Sequence, residues 1–263
     1  MASPFFYLII FIFGLVVGSF LNCLIYRLAL PSFSLKNLGG LRGRSFCPNC
    51  QHTLNWQDLI PLFSFLILKG KCRYCQQPIS WQYPLVELAT GILFILVVFY
   101  TSPNLLLTSY FLLVTCFLII IFVYDLKYYI IPDKIIYPAI ILALIFNLQF
   151  LISKQFSIFN YSILSALGAA IFFLAIVLIS RGKWMGVGDI KLAFFMGLFL
   201  GFPNVLVALF SAIFLGAIIG LGLVISGQKT LKSEVPFGPF LVTGIFVALF
   251  WGQQIINWYL NLI

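Results

Sequence analysis

Four paired cysteines and six carboxylates are the residues of this chain with the clearest chemical potential. Cys47-Pro48-Asn49-Cys50 and Cys72-Arg73-Tyr74-Cys75 are two C-x-x-C pairs on one polar segment. Each pair can present two thiolates at a tight turn, and two such turns complete a tetrahedral four-cysteine zinc site. Four protein ligands leave no open position, so the metal would hold the segment together rather than catalyse. His52 could stand in for a thiolate, but a lone His in a polar loop is more often solvated. The carboxylates are few, and a carboxylate beside lipid is a functional suspect by default. Asp125 lies in FVYDLKYYIIPDK, at the end of an apolar run, where it opposes the helix dipole. Asp189 lies in GVGDIKL at the start of another, where an acid is favoured. Gly186 and Gly188 flank Val187 there and would let backbone or substrate approach closely.

The other acids have plainer readings. Asp133 follows Pro132 and suits a helix start. Glu87, in YPLVELATG, would either reach the interface or line a site, while Asp58 and Glu234 read as loop residues. Ser19, Asn22 and Tyr26 form a polar stripe that would join helices by hydrogen bonds. Cys23 and Cys116 read as small hydrophobes.

The elements that must carry these residues are membrane helices. Hydrophobic residues make up 63% of 263 positions and charged residues 8%, far below the quarter usual in soluble domains. The expected fold is an all-α integral membrane protein with about eight spans, near 4–26, 84–102, 105–124, 135–153, 158–180, 189–203, 204–226 and 238–262. Two regions are expected, 1–83 with the first span and a small zinc-binding loop domain, and 84–263 as the transmembrane core. The short apolar stretch LIPLFSFLILKG would pack on the loop domain or lie at the membrane surface.

Arg27, Lys36, Arg42, Arg44, Lys69, Lys71 and Arg73 fall in the first connection, Lys127 and Lys134 in the third, Arg181, Lys183 and Lys191 in the fifth, and Lys229 and Lys232 in the seventh. Only Lys154 lies in an alternate connection, so the positive-inside rule places the other fourteen, the cysteine pairs and both key aspartates on the cytoplasmic side. That compartment keeps thiols reduced, which favours zinc over disulfides. The termini then point outward, with the first helix as a retained anchor. Cations dispersed over four loops do not form a nucleic-acid stripe.

GSFLNCLIYR, CPNC with CRYC, ISWQYPLVELATG, DLKYYIIPD, GVGDIKLA and PFGPFL occur in order over residues 18–241. This series resembles bacterial type IV prepilin peptidases, the GxGD-type membrane aspartic peptidases. The resemblance implies cleavage of prepilin or pseudopilin precursors after Gly at the cytoplasmic face, with Asp125 and Asp189 as the catalytic pair. It also implies, for many members, methylation of the new N-terminus with S-adenosylmethionine; Glu87 matches the acidic position of the second helix and is the candidate for that cofactor's pocket. Val187 stands where the family often has Met, and Cys23 where an aliphatic residue is common. In such a mechanism one ionised carboxylate takes a proton from water and a protonated partner polarises the scissile carbonyl. The helix ends favour Asp189 as base and Asp125 as proton carrier. An ion-coupled transporter is a different reading, as are a peptidase without methyltransferase activity and a structural assembly subunit. A transporter would more naturally place acids at mid-membrane within broken, repeated helices.

Overall fold

The computed structural model describes residues 3–30, 44–101, 104–152, 156–228 and 235–262. Lys36, Arg42, Lys154, Lys229, Lys232 and Glu234 lie outside the described residues. The helices are α1 (Pro4–Leu28), α2 (Phe63–Ile67), α3 (Gln82–Thr101), α4 (Leu105–Tyr128), α5 (Asp133–Ile152), α6 (Phe156–Ser180), α7 (Val187–Leu200), α8 (Asn204–Ile225) and α9 (Gly238–Leu260). Among the described residues, six of them, α1, α3, α4, α6, α8 and α9, are long and apolar enough to cross a membrane.

The expected eight spans are each matched by a helix but not all by a full crossing. With 14 residues, α7 extends roughly 21 Å against a hydrocarbon core of ~30 Å. The other helix, α5, has 20 residues, roughly 30 Å along its axis, with Asp133 and Lys134 in its first turn. A second difference concerns Asp125, which was expected just beyond its helix. Helix α4 instead continues to Tyr128 and puts Asp125 in its last turn. Tyr129, at φ 58°, ends the helix while its N–H still bonds the Asp125 carbonyl at 2.9 Å.

The chain forms two compact units, Met1–Ile120 and Ile121–Ile263, with the boundary inside α4. Helix α3 therefore belongs with α1, downstream of the division expected after residue 83. In the first unit α1 packs along α3 through small residues. A Cβ on Gly14 would stand 2.7 Å from the Cα of Gly91, and one on Gly18 would stand 2.7 Å from the Cα of Glu87. This close approach, with glycines four residues apart on one face, is how membrane helices gain packing without a hydrophobic driving force. Asn22 adds a polar joint, its buried Nδ2 donating to the Tyr83 carbonyl at 3.1 Å. Asn22 and Ser19 of the polar stripe thus join α1 to α3, as read from sequence, while the Tyr26 ring packs against Phe46 with centroids 5.9 Å apart.

In the second unit α7 lies among α5, α6, α8 and α9. Leu192, Ala193, Phe195 and Met196 are fully buried, the all-round burial expected of a helix enclosed by protein. Alanines on its neighbours, Ala139, Ala143, Ala166, Ala208 and Ala212, are buried as well and let the helices approach. Asn147 of α5 donates to the Leu198 carbonyl at 3.0 Å, tying the far end of α7 in place.

Gly18→Leu should lower stability by about 1–3 kcal/mol through overpacking against α3. A drop in the thermal unfolding midpoint of the detergent-solubilised protein would report it; an unchanged midpoint would show that the close approach is dispensable.

Candidate active site and metal centre

The candidate metal centre is built from two copies of one backbone device. In the first, the Cys47 N–H bonds the His52 carbonyl at 3.0 Å and the Gln51 N–H bonds the Cys47 carbonyl at 2.8 Å. In the second, Cys72 bonds Gln77 at 2.8 Å and Gln76 bonds Cys72 at 3.0 Å in the same pattern. Flanking bridges close both, Phe46 with Thr53 and Lys71 with Pro78. Gln51 and Gln76 take positive φ, 56° and 57°, which turns each chain back under its pair of thiols. Partner positions lie 25 residues apart, Cys47 to Cys72 and Cys50 to Cys75, a structural repeat that the sequence reading did not register.

The four Sγ atoms lie within 4.8 Å of one another, and Cys47 and Cys75 are 3.9 Å apart. Tetrahedral zinc–thiolate bonds of about 2.3 Å place sulfurs about 3.8 Å apart, so the cluster fits a zinc ion with slight contraction. Burial opposes ionisation of Cys47, yet the N–H groups of Cys50 and Asn49 and the neighbouring thiols bring it down to about 7. At Cys75 the Gln77 N–H favours the thiolate, but burial and the other three thiols outweigh it and raise the group to about 11. Such a cluster shares protons that a cation would displace. His52 is not part of it: its ring packs tilted against Tyr74, the centroids 3.8 Å apart. Asp58 proves to be more than a loop acid. Its side chain accepts from Arg73 Nε at 2.7 Å, from the Tyr74 hydroxyl at 3.1 Å and from the Asn55 N–H at 3.1 Å, joining the 3₁₀ turn Trp56–Leu59 to the second knuckle.

Glu87 is buried in α3, and its Oε2 accepts the Leu62 N–H at 2.8 Å, with Ser19 as a further partner. It stands where α1 meets α3 with no room for a Cβ on Gly18. The carboxylate is thus engaged in holding the chain.

The two aspartates come together in the second unit. Asp125 and Asp189 are both buried, and they are near enough for their charges to interact. Asp125 Oδ2 accepts the Gly238 N–H at 3.0 Å, at the first residue of α9. Asp189 Oδ2 accepts the Gly186 N–H at 3.2 Å across the first turn of α7. Each carboxylate therefore has one fixed backbone donor in place of water, and each donor is glycine. At Gly238 the reason is steric, because a Cβ would stand 2.5 Å from Asp125 Oδ2. At Gly188 it is also steric, because a Cβ would stand 3.0 Å from the Cβ of Ile131. Gly186, by contrast, faces no close neighbour and contributes its N–H. Asp133 does not join the pair. It pairs with Lys191 at 2.5 Å, and the same ammonium sits 4.9 Å from the Tyr137 ring, so the acid at the start of α5 is tied to α7. Sequence reasoning missed Gly238 as a partner of Asp125; the PFGPFL element of the motif series, which contains it, was the available signal.

A profile described as "Bacterial Peptidase A24 N-terminal domain" matches residues 12–101, and one described as "Type IV leader peptidase family" matches residues 112–221. Curated relatives run the length of the chain. A "Prepilin leader peptidase/N-methyltransferase" of Bacillus subtilis (strain 168) is 34% identical, covering 97% of this chain and 98% of its own. Proteins of the same name from Legionella pneumophila (33% identical, 98% and 95% covered) and Aeromonas hydrophila (32% identical, 96% and 93% covered) are similar to it too. No solved structure matches.

The cysteine geometry predicts about one zinc per purified chain, with metal content lost in Cys47→Ser and in Cys72→Ser. Because binding displaces thiol protons, zinc affinity should fall as the pH is lowered through 7. Retention of full metal content by both variants would contradict the assignment.

Proposed function

The chain belongs to the type IV leader peptidase family, and from that premise we propose that it cleaves the leader of prepilin-like precursors after Gly by an aspartic mechanism. The observation that carries this reading is the meeting of Asp125 and Asp189, two buried acids from separate helices, each restrained by one backbone N–H. Two carboxylates at interacting distance do not both ionise easily, so the pair holds one proton between them. The ionised member draws a proton from a water molecule, the protonated member donates a hydrogen bond to the scissile carbonyl, and water adds to the carbon. The tetrahedral intermediate collapses as the amide nitrogen takes up a proton, which returns the pair to its starting state. The start of α7 favours Asp189 as the base and the end of α4 disfavours charge on Asp125. The Gly238 N–H offsets part of that difference, so the proton can pass between the two.

Methylation of the freed N-terminus with S-adenosylmethionine belongs to the same proposal, supported by the double name of the relatives. Glu87 stays the candidate on that side through its match to the family's acidic position, and no step is assigned to it. The four cysteines are proposed as structural zinc ligands. The basic connections support a cytoplasmic metal domain and a cytoplasmic active site. The catalytic region inferred as 84–263 is narrowed to Ile121–Ile263 for its peptidase chemistry, since both aspartates lie there.

Incubation of the purified protein with a prepilin-like substrate should give the shortened product, and added S-adenosylmethionine should increase its mass by one methyl group. Cleavage without that increment would leave a peptidase alone. Asp125→Asn and Asp189→Asn should each cut the cleavage rate by roughly 10²–10⁴-fold while the protein stays folded. If both variants cleaved normally, the peptidase reading would fail. Gly238→Ala, which pushes on Asp125, should slow cleavage by up to about a hundredfold with unchanged metal content.

A further inference from the structure

One surface of the first unit is used by neither the metal nor the aspartates. Phe63, Leu66 and Ile67 of α2 are exposed, the last at 72%, and at i, i+3 and i+4 they share one face. Phe65 turns the other way, its ring 4.9 Å from Trp81 and against Gly70. Exposed apolar side chains in such a cluster mark an interaction surface. Three observations say what covers it.

The first is height. The Leu62 N–H at the head of α2 bonds Glu87, and Glu87 lies more than a turn inside α3, a helix apolar enough to span the membrane. Helix α2 is therefore pinned beside the opening turns of a membrane helix rather than out in solvent. The second is neighbourhood: Phe65 of the same short helix packs on Trp81, which directly precedes α3 and is 69% exposed, and Leu85 on α3 is exposed as well, so α2 lies beside exposed apolar surface at the start of a helix apolar enough to cross a membrane. The third is the rim. Trp56 is exposed on the 3₁₀ turn that contacts α2, and Lys69 and Lys71 lie just beyond the end of α2, the pairing of aromatic girdle and cations found at a headgroup boundary.

We propose that α2 is an interfacial anchor: its Phe63–Leu66–Ile67 face seats in the headgroup and acyl boundary of an anionic bilayer, with Lys69 and Lys71 meeting lipid phosphates. The Glu87–Leu62 hydrogen bond sets its depth, and the knuckle that begins at Lys71 is held at the membrane surface by it.

The test uses the full chain in lipid nanodiscs. A Leu66→Trp substitution is placed in a Trp56→Phe, Trp81→Phe background, and its emission is taken as the difference from that background. Unchanged zinc content and thermal midpoint establish that the variant is folded. The introduced indole should lose most of its emission to phospholipids brominated high on the acyl chain and resist the aqueous quencher acrylamide. Lys69→Glu with Lys71→Glu should weaken the bromolipid quenching in discs containing phosphatidylglycerol. Quenching by acrylamide alone would show the face in water, and shielding from both quenchers would show it covered by protein; either result overturns the proposal.

Discussion

A carboxylate can be kept beside lipid only where fixed donors replace the water it has lost. The buried side chains of Asp58, Glu87, Asp125 and Asp189 each have such a donor, and for three of the four the bond ties together two parts of the fold. Asp58 joins a turn to the second cysteine knuckle, and Glu87 joins α3 to the head of α2. Asp133 joins α5 to α7, and Asp125 joins the end of α4 to the start of α9. Asp189 alone is satisfied locally, by the turn that begins its own helix. The acids thus act as fastenings in a chain with few charged residues. Two of them are also placed close enough to feel each other's charge.

That pairing depends on glycine and alanine as much as on the aspartates. The first turn of α7 meets Ile131 only because Gly188 lacks a side chain, and Asp125 reaches backbone only because Gly238 does. Farther along, Gly197 lies against the backbone of Ala166 and Ser165 on α6. Side-chain packing at these points leaves α7 little freedom to shift, so the position of Asp189 is set by a whole helix interface rather than by its one hydrogen bond. An electrostatic site of this kind benefits from restraint, because dipoles that are already in place need not reorganise during reaction.

Much of this was legible in the sequence, for identifiable reasons. Long apolar runs and scarce charge gave the helices, and C-x-x-C spacing gave the thiol cluster, because turn geometry is local. The pair of aspartates followed from loop charges and motif order. What escaped was non-local. The Gly238 donor lies 113 residues from Asp125, and nothing in local spacing reports such a contact. The end of α7 was placed at 203 rather than Leu200 because its apolar run continues into a turn at Gly201, whose φ is 65°. Helix α4 was ended one turn early because Asp125 reads as polar punctuation, although a buried acid can stay helical once a donor reaches it. The knuckle repeat went unseen because the two copies share a backbone pattern and cysteines while their intervening residues differ.

The central claim is that Asp125 and Asp189 act as one unit. Residues that act together give losses that do not multiply. The direct measurement is the cleavage rate of one defined leader substrate by Asp125→Asn, Asp189→Asn and the double variant, all shown to be folded and to carry equal zinc. The account predicts that the double variant is no slower than the slower single variant. Losses that multiply in the double variant would contradict it and make the two acids independent contributors.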